Sequence, residues 1–326
     1  MNVNTVSGSI KYFCDSIIDY AGLFPPAKLS LSEAFENYIQ YKNGNYKWML
    51  SKFICPVKML QDLNNLIESN YSNEKNINIS VLGRGGYDIN DFINNFRNDI
   101  DMWKDFISKS GDSVTTNSFE IKLPDELMNS HDSKKISKFI DFISDDIQKN
   151  ISQQVFIFFE GFVGSEWKKN IRSLINGIGI HTENNPGSGY KFRTGGVEPY
   201  TFPSPEKVSF AIRECIDREV KIKFTAGLHH PIRHFDNGIK TMMHGFVNVF
   251  GAGIIAMRHN ITNFGMKEIL SDENPENFIF TEETFSWKDW RIGIEDINFA
   301  RKNLVISFGS CSFDDPIDDL KSLNLL

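Results

Sequence analysis

The chain has 326 residues, 40% of them hydrophobic and 28 of them Phe, which is enough to bury a large core in one barrel or in two domains. A formal net charge of −7 and the lack of any run of five or more basic residues exclude the electrostatic footprint of a nucleic-acid binder. The longest mostly apolar window, Phe246 to Met257, is 12 residues long and includes Asn248, so it is too short to span a bilayer.

The opening MNVNTVSGSIKYF has neither a basic nor an apolar signal region, so no secretory leader is expected. Ile10, Phe13, Ile17 and Ile18 fall at helical spacing over residues 7–20, and Gly22 with Pro25-Pro26 stops that helix. A second helix follows a Ser30 or Ser32 cap and carries Ala34, Phe35, Tyr38 and Ile39. Together these read as an N-terminal helical extension over residues 1–45, and DYAGLFPPA at 19–27 reads as a turn packed by Phe24 or a cover for the body. From there strands and helices alternate. Strands are expected at 52–56, 77–83, 118–124 and 154–161, with helical patterns at 57–69, 90–108, 133–149 and 166–176 between and after them. YKFRT and VKIKFTA then alternate at period two on either side of SPEKVSFAIRECIDRE, which repeats at helical spacing. A helix at 239–256, a strand at 277–283, a helix around 290–301 and a strand at 303–309 follow, and the apolar helix of the tail would dock on the body or on a second copy of the chain.

Eight strands with intervening helices over residues 46–326 predict an α/β fold, a (β/α)8 barrel of the TIM type. No GxGxxG, P-loop or repeat unit is present, so no nucleotide cofactor is expected. Cys14, Cys55, Cys215 and Cys311 have no CxxC spacing, which suits reduced thiols in a cytoplasmic protein.

Ligands of parallel barrels bind at the C-terminal strand ends, and that is where charged residues collect here. Glu120 and Lys122 share a face of one strand, Glu160 ends the next, and Lys191, Arg193 and Lys223 follow. Gly195, Gly196 and Gly227 open the turns behind them, where a ligand can approach bare backbone, and RTGGVEP and LGRGGYD both look like anion-holding turns. Two buried lysines on neighbouring strands suggest one amine whose proton is displaced by the other's charge, giving a nucleophile for a carbonyl.

The residues resemble the class I aldolases of the deoxyribose-phosphate aldolase type over roughly residues 154–233. Lys191, Thr194 and Gly195 match that family's K-x-x-T-G strand, Lys223 stands where its second lysine lies, and Arg233 follows Ile232 as in its Gly-Gly-Ile-Arg turn. The resemblance implies a lyase acting on a small anionic carbonyl compound through a Schiff base. Lys191, Lys223, Glu160, His229 and His230 are then the catalytic candidates. Arg193, Thr194, Gly195, Gly196, Glu120, Lys122, Gly227 and Arg233 are the substrate-binding candidates. The chain departs from the family by inserting Leu228, His229, His230 and Pro231 before Ile232. Two alternatives stay open: a metal-dependent barrel hydrolase or isomerase using His229, His234 and a carboxylate, and a barrel that binds a small molecule without turnover.

Overall fold

The computed structural model describes residues 8–326. In chain order its elements are α1 (Gly8–Cys14), β1 (Ile18–Tyr20), α2 (Leu31–Asn43), β2 (Leu50–Pro56), α3 (Leu60–Asn70), β3 (Ile77–Leu82), α4 (Ile89–Ser110), β4 (Val114–Lys122), α5 (Asp125–Asn129), α6 (Ser133–Asn150), β5 (Phe156–Glu160), α7 (Trp167–Thr182), β6 (Ser188–Arg193), α8 (Pro205–Asp217) and β7 (Lys221–Thr225). There follow the hairpin β8 (His234–Asp236) and β9 (Thr241–Met243), the helices α9 (Phe246–His259) and α10 (Asn263–Ser271), the meander β10 (Phe278–Phe280), β11 (Thr284–Trp287) and β12 (Trp290–Gly293), then α11 (Ile294–Asn303), β13 (Val305–Ser310) and α12 (Asp314–Ser322). Eight strands close a barrel in the order β1-β13-β7-β6-β5-β4-β3-β2. With helices between them this is the expected (β/α)8 architecture.

The membership of the barrel differs from the sequence reading at one strand. Residues 277–283 do not enter the barrel. Phe278–Phe280 pairs antiparallel with β11, which pairs antiparallel with β12, and this local meander satisfies its own backbone. The place is taken by β1, inside the segment expected to be a separate helical extension, with Asp19 opposite Gly309 of β13. Three residues are too few to display an alternation, and Ile17 and Ile18 fit helical spacing equally well. The helix expected from residue 239 begins only at Phe246, because the β8–β9 hairpin occupies the stretch before it.

Two compact units make up the chain: Met1–Lys28, Ile39–Ser51 and Arg193–Leu326 in one, Leu29–Tyr38 and Lys52–Phe192 in the other. In the second unit, Asp88 caps α4 by accepting from Asp91 N, and Phe92, Phe96, Ile100, Trp103 and Phe106 recur at three- and four-residue intervals on its buried face. Trp103 stacks on Phe119 of β4 at 5.2 Å. Phe119 therefore faces the helices, and period-two alternation turns Ser118 and Glu120 the other way, to the inside of the barrel. In the first unit, buried Arg301 of α11 ties three segments together. Its guanidinium donates to the carbonyls of Phe13 (2.9 Å), Asp15 (2.8 Å), Val305 and Ile306, and lies 5.0 Å from the Phe250 ring. Burial pushes its pKa down to about 10, which still leaves it charged at neutral pH.

Candidate active site

Lys191 and Glu160 sit opposite each other on β6 and β5, and Glu160 is in turn opposite Lys122 on β4. Glu120, two residues before Lys122, is on β4 with β5 between it and β6. Side chains from alternate strands share a layer inside such a barrel, so a lysine on β6 reaches a carboxylate on β4 across the intervening strand. The Lys191 Nζ lies 3.0 Å from Glu120 Oε2 and 3.1 Å from Glu160 Oε2. The Glu120 side chain is 1% exposed, Lys191 8% and Glu160 15%, so access grows toward the end of β5.

Ser80 of β3 donates to Glu120 Oε1 at 2.7 Å and lies 3.0 Å from the Ser118 hydroxyl. Since the Ser80 hydrogen is committed to the carboxylate, Ser118 is the donor to Ser80. Ser118 thus donates to Ser80 and Ser80 to Glu120, which accepts from the Lys191 ammonium on its other oxygen. Ser80 and Ser118 were not singled out from the sequence, although each occupies an inward position of a strand whose outward residues are Ile79, Val81 and Phe119.

The ionisation of Lys191 is the reverse of the sequence expectation. Burial by itself disfavours the ammonium, but the charges of Glu160 and Glu120 and their hydrogen bonds overcome it and raise the pKa above that of a free lysine. Arg193, a substrate-binding candidate of the sequence, is exposed and turns its Nε onto the Gly195 carbonyl at 3.0 Å. Lys122 is also exposed and pairs with Asp125 at 2.9 Å, although its strand position places it opposite Glu160.

The other unit has a rung of the same design. Lys223 Nζ of β7 lies 2.7 Å from Asp19 Oδ2 of β1, and Ser307 of β13, the strand between them, donates to the same oxygen at 2.6 Å. Both charged side chains are 1% exposed. Asp19 was hidden in DYAGLFPPA because a lone aspartate beside a Gly-Pro turn looks like turn chemistry.

The turns after β6 and β7 are locked together rather than open. Thr194 N donates to Thr225 O at 2.8 Å, and its hydroxyl donates to Ala226 O at 2.5 Å. A Cβ on Gly195 would lie 2.7 Å from Gly227 Cα, so the two backbones touch there, and Gly227 adopts φ +74°. Thr194, Gly195 and Gly227 therefore fix the loop bases; Gly196 packs on Thr201.

The histidines separate into different roles. His229 Nδ1 lies 3.2 Å from the Ser310 hydroxyl and its Nε2 lies 4.0 Å from Cys311 Sγ. Burial and the neighbouring His230 and His234 hold its pKa below the ordinary histidine value, opposed by Asp315 and Asp236. His230 does not join it: its Nδ1 pairs with Asp319 of α12 at 2.5 Å, and its ring packs edge-on against His234 at 4.4 Å. His234 Nδ1 in turn lies 3.1 Å from the Ile232 carbonyl. Among the described residues no three His, Cys, Asp or Glu side chains converge on a point that would hold a metal ion, so the His229–His234 alternative finds no carboxylate to complete it.

Arg233 lies against a buried histidine. Its Nη1 lies 3.3 Å from His244 Nδ1, while His244 Nε2 lies 2.7 Å from Pro203 O. An arginine can only donate, so Nδ1 is the acceptor and Nε2 carries the proton. Desolvation, with the Arg233 charge beside it, drives the His244 pKa down to about 4.

No described helix is long and apolar enough to cross a membrane. Comparison with known proteins finds no family model that matches the chain and no curated sequence that matches it.

Proposed function

We propose that the protein is a lyase-type enzyme acting on a small carbonyl compound through Lys191, which forms a Schiff base with the substrate. The observation that carries this reading is the amine of Lys191 held at 3.0 and 3.1 Å from two carboxylates at the C-terminal end of a barrel strand, the end at which barrel enzymes work. The K-x-x-T-G likeness to the deoxyribose-phosphate aldolase type of class I aldolase adds to it.

The resting amine is an ammonium, so one proton has to leave before attack, and a carboxylate at 3.1 Å is within reach to take it. The free amine adds to the carbonyl carbon, the carbonyl oxygen leaves as water after accepting two protons, one from the attacking nitrogen and one returned by the carboxylate, and a protonated imine remains. That cation draws in the electron pair of the bond between its neighbouring carbon and the carbinol carbon beyond, which gives up its hydroxyl proton to a carboxylate and departs as an aldehyde; the enamine left behind is then protonated at carbon. Water hydrolyses the imine and restores the lysine.

A second reading is favoured by the raised pKa of Lys191: the ammonium stays protonated throughout and stabilises an enolate as a fixed positive charge. One experiment separates the two. The protein is incubated with pyruvate, hydroxyacetone and glyceraldehyde, reduced with borohydride, digested and mapped by mass. The Schiff-base reading expects a single adduct on the peptide containing Lys191, lost in Lys191→Arg with the fold retained. Turnover of any of these compounds with no trapped lysine supports the second reading, and an adduct confined to another lysine refutes the assignment of Lys191.

A further inference from the structure

The two carboxylates around Lys191 are not equivalent, and the difference assigns them separate duties. Glu120 is 1% exposed and receives the Ser80 hydrogen bond of 2.7 Å on the oxygen that does not face the lysine. Ser80 is itself fully buried and held by Ser118 at 3.0 Å, with Ser118 2% exposed. A carboxylate that accepts from a fixed hydroxyl and from an ammonium is stabilised as the anion, since protonation would disrupt the bond at the oxygen that takes the proton and cancel the attraction to the ammonium. Glu160 is the last residue of β5, its side chain is 15% exposed against 1% for Glu120, and one of its oxygens lies 3.1 Å from Lys191. A group that must collect a proton and give it back needs that access; a fixed counter-ion does not.

We propose that Ser80 and Ser118 are positioning residues that keep Glu120 as the permanent counter-ion of Lys191, leaving Glu160 as the catalytic carboxylate that takes and returns the substrate's proton. This rests on the Schiff-base reading. In the step concerned, the protonated imine has a C–H bond on the carbon next to its C=N. The proton of that bond passes to a Glu160 oxygen, the C–H electron pair becomes the C=C bond of the enamine, and the C=N pair returns to nitrogen. The reverse transfer restores the imine, with solvent hydrogen replacing the original once Glu160 has exchanged with water. Glu120 gains and loses nothing in the cycle.

The test follows both events in the full chain. Pyruvate and hydroxyacetone are incubated with the protein in D2O, and exchange of the hydrogens next to the carbonyl is read by proton NMR. Borohydride trapping at Lys191 is measured in parallel. Glu160→Gln is expected to slow exchange by about 100- to 10,000-fold, while the Lys191 adduct still accumulates but more slowly, because Glu160 is also the carboxylate that takes the ammonium's proton before attack. Glu160→Asp keeps the charge but shortens the reach, and is expected to slow exchange as well.

Ser80→Ala is expected to move the acid limb of the exchange profile upward by about one to two pH units, because Glu120 then takes up a proton more readily. Ser80→Thr keeps the hydroxyl and is expected to return the limb to its place. A merely structural role for Ser80 would lower the rate at every pH without moving the limb, and that result overturns the positioning role. Normal exchange in Glu160→Gln, with exchange abolished in Glu120→Gln instead, overturns the division of duties while leaving the Schiff base standing. Wild-type protein that neither traps nor exchanges either compound overturns the Schiff-base reading and this inference with it.

Discussion

Replacing Lys223 by Met removes the positive charge from the enclosed rung and leaves its shape nearly intact. At 2.7 Å the Lys223–Asp19 attraction amounts to about 6 kcal/mol at an effective dielectric of about 20. Most of that offsets the cost of taking two ions out of water, several kcal/mol each, so the intact pair contributes little net stability. Breaking it is a different matter. With both side chains 1% exposed, Lys223→Met leaves the Asp19 carboxylate buried with its main countercharge gone, and the expected loss is about 3–5 kcal/mol. Asp19→Asn removes the carboxylate at 2.7 Å from the buried ammonium and should cost a similar amount.

The double variant removes both charges, while the amide introduced at position 19 can still accept from Ser307. Its loss should therefore fall well short of the sum, with a coupling of about 2 kcal/mol or more. Urea unfolding with linear extrapolation measures each value, and thermal midpoints should drop on the order of 10 °C in the single variants. Single variants within about 1 kcal/mol of wild type, or losses that simply add, would show that the rung is not an enclosed ion pair.

Three further outcomes follow from the described packing. His244 has a folded pKa pushed down to about 4, so between there and about 6.5 the unfolded chain binds the proton that the folded chain refuses; stability is full above that window and falls by about 3 kcal/mol as pH drops through it, and urea titrations of His244→Asn should lose that dependence. Arg301→Met leaves four backbone carbonyls without their charged donor and should destabilise by about 3 kcal/mol or more, read from the same unfolding curves. Gly227→Ala places a Cβ 2.9 Å from Gly195 Cα at φ +74°, and should cost about 1–3 kcal/mol while loosening the β6 and β7 turns, visible as faster amide hydrogen exchange at Thr194.

Seven of the eight barrel strands were legible in the sequence, because a strand that buries one face alternates at period two and its flanking helices repeat at 3.6, and both signals are local. Lys191, Lys223, Glu120 and Glu160 could be named for the same reason: a charge at the inward position of an apolar strand is conspicuous without coordinates. Their partners could not. Which lysine meets which carboxylate depends on strand order and stagger, so the pairing of Lys191 with Glu160 and Glu120, and of Lys223 with Asp19, is decided only when the sheet is assembled. That pairing also reversed the expected ionisation of Lys191, since the sign of a pKa shift follows the charges within a few ångströms and these arrive from strands far upstream in the chain. Arg193 has the strand parity of Lys191 but lies at the strand end, where backbone direction and solvent override alternation. The three-residue β1 is too short to carry any periodicity, and the aromatic stretch at 278–280 satisfies strand propensity equally well inside or outside a barrel; for both, tertiary pairing alone made the choice.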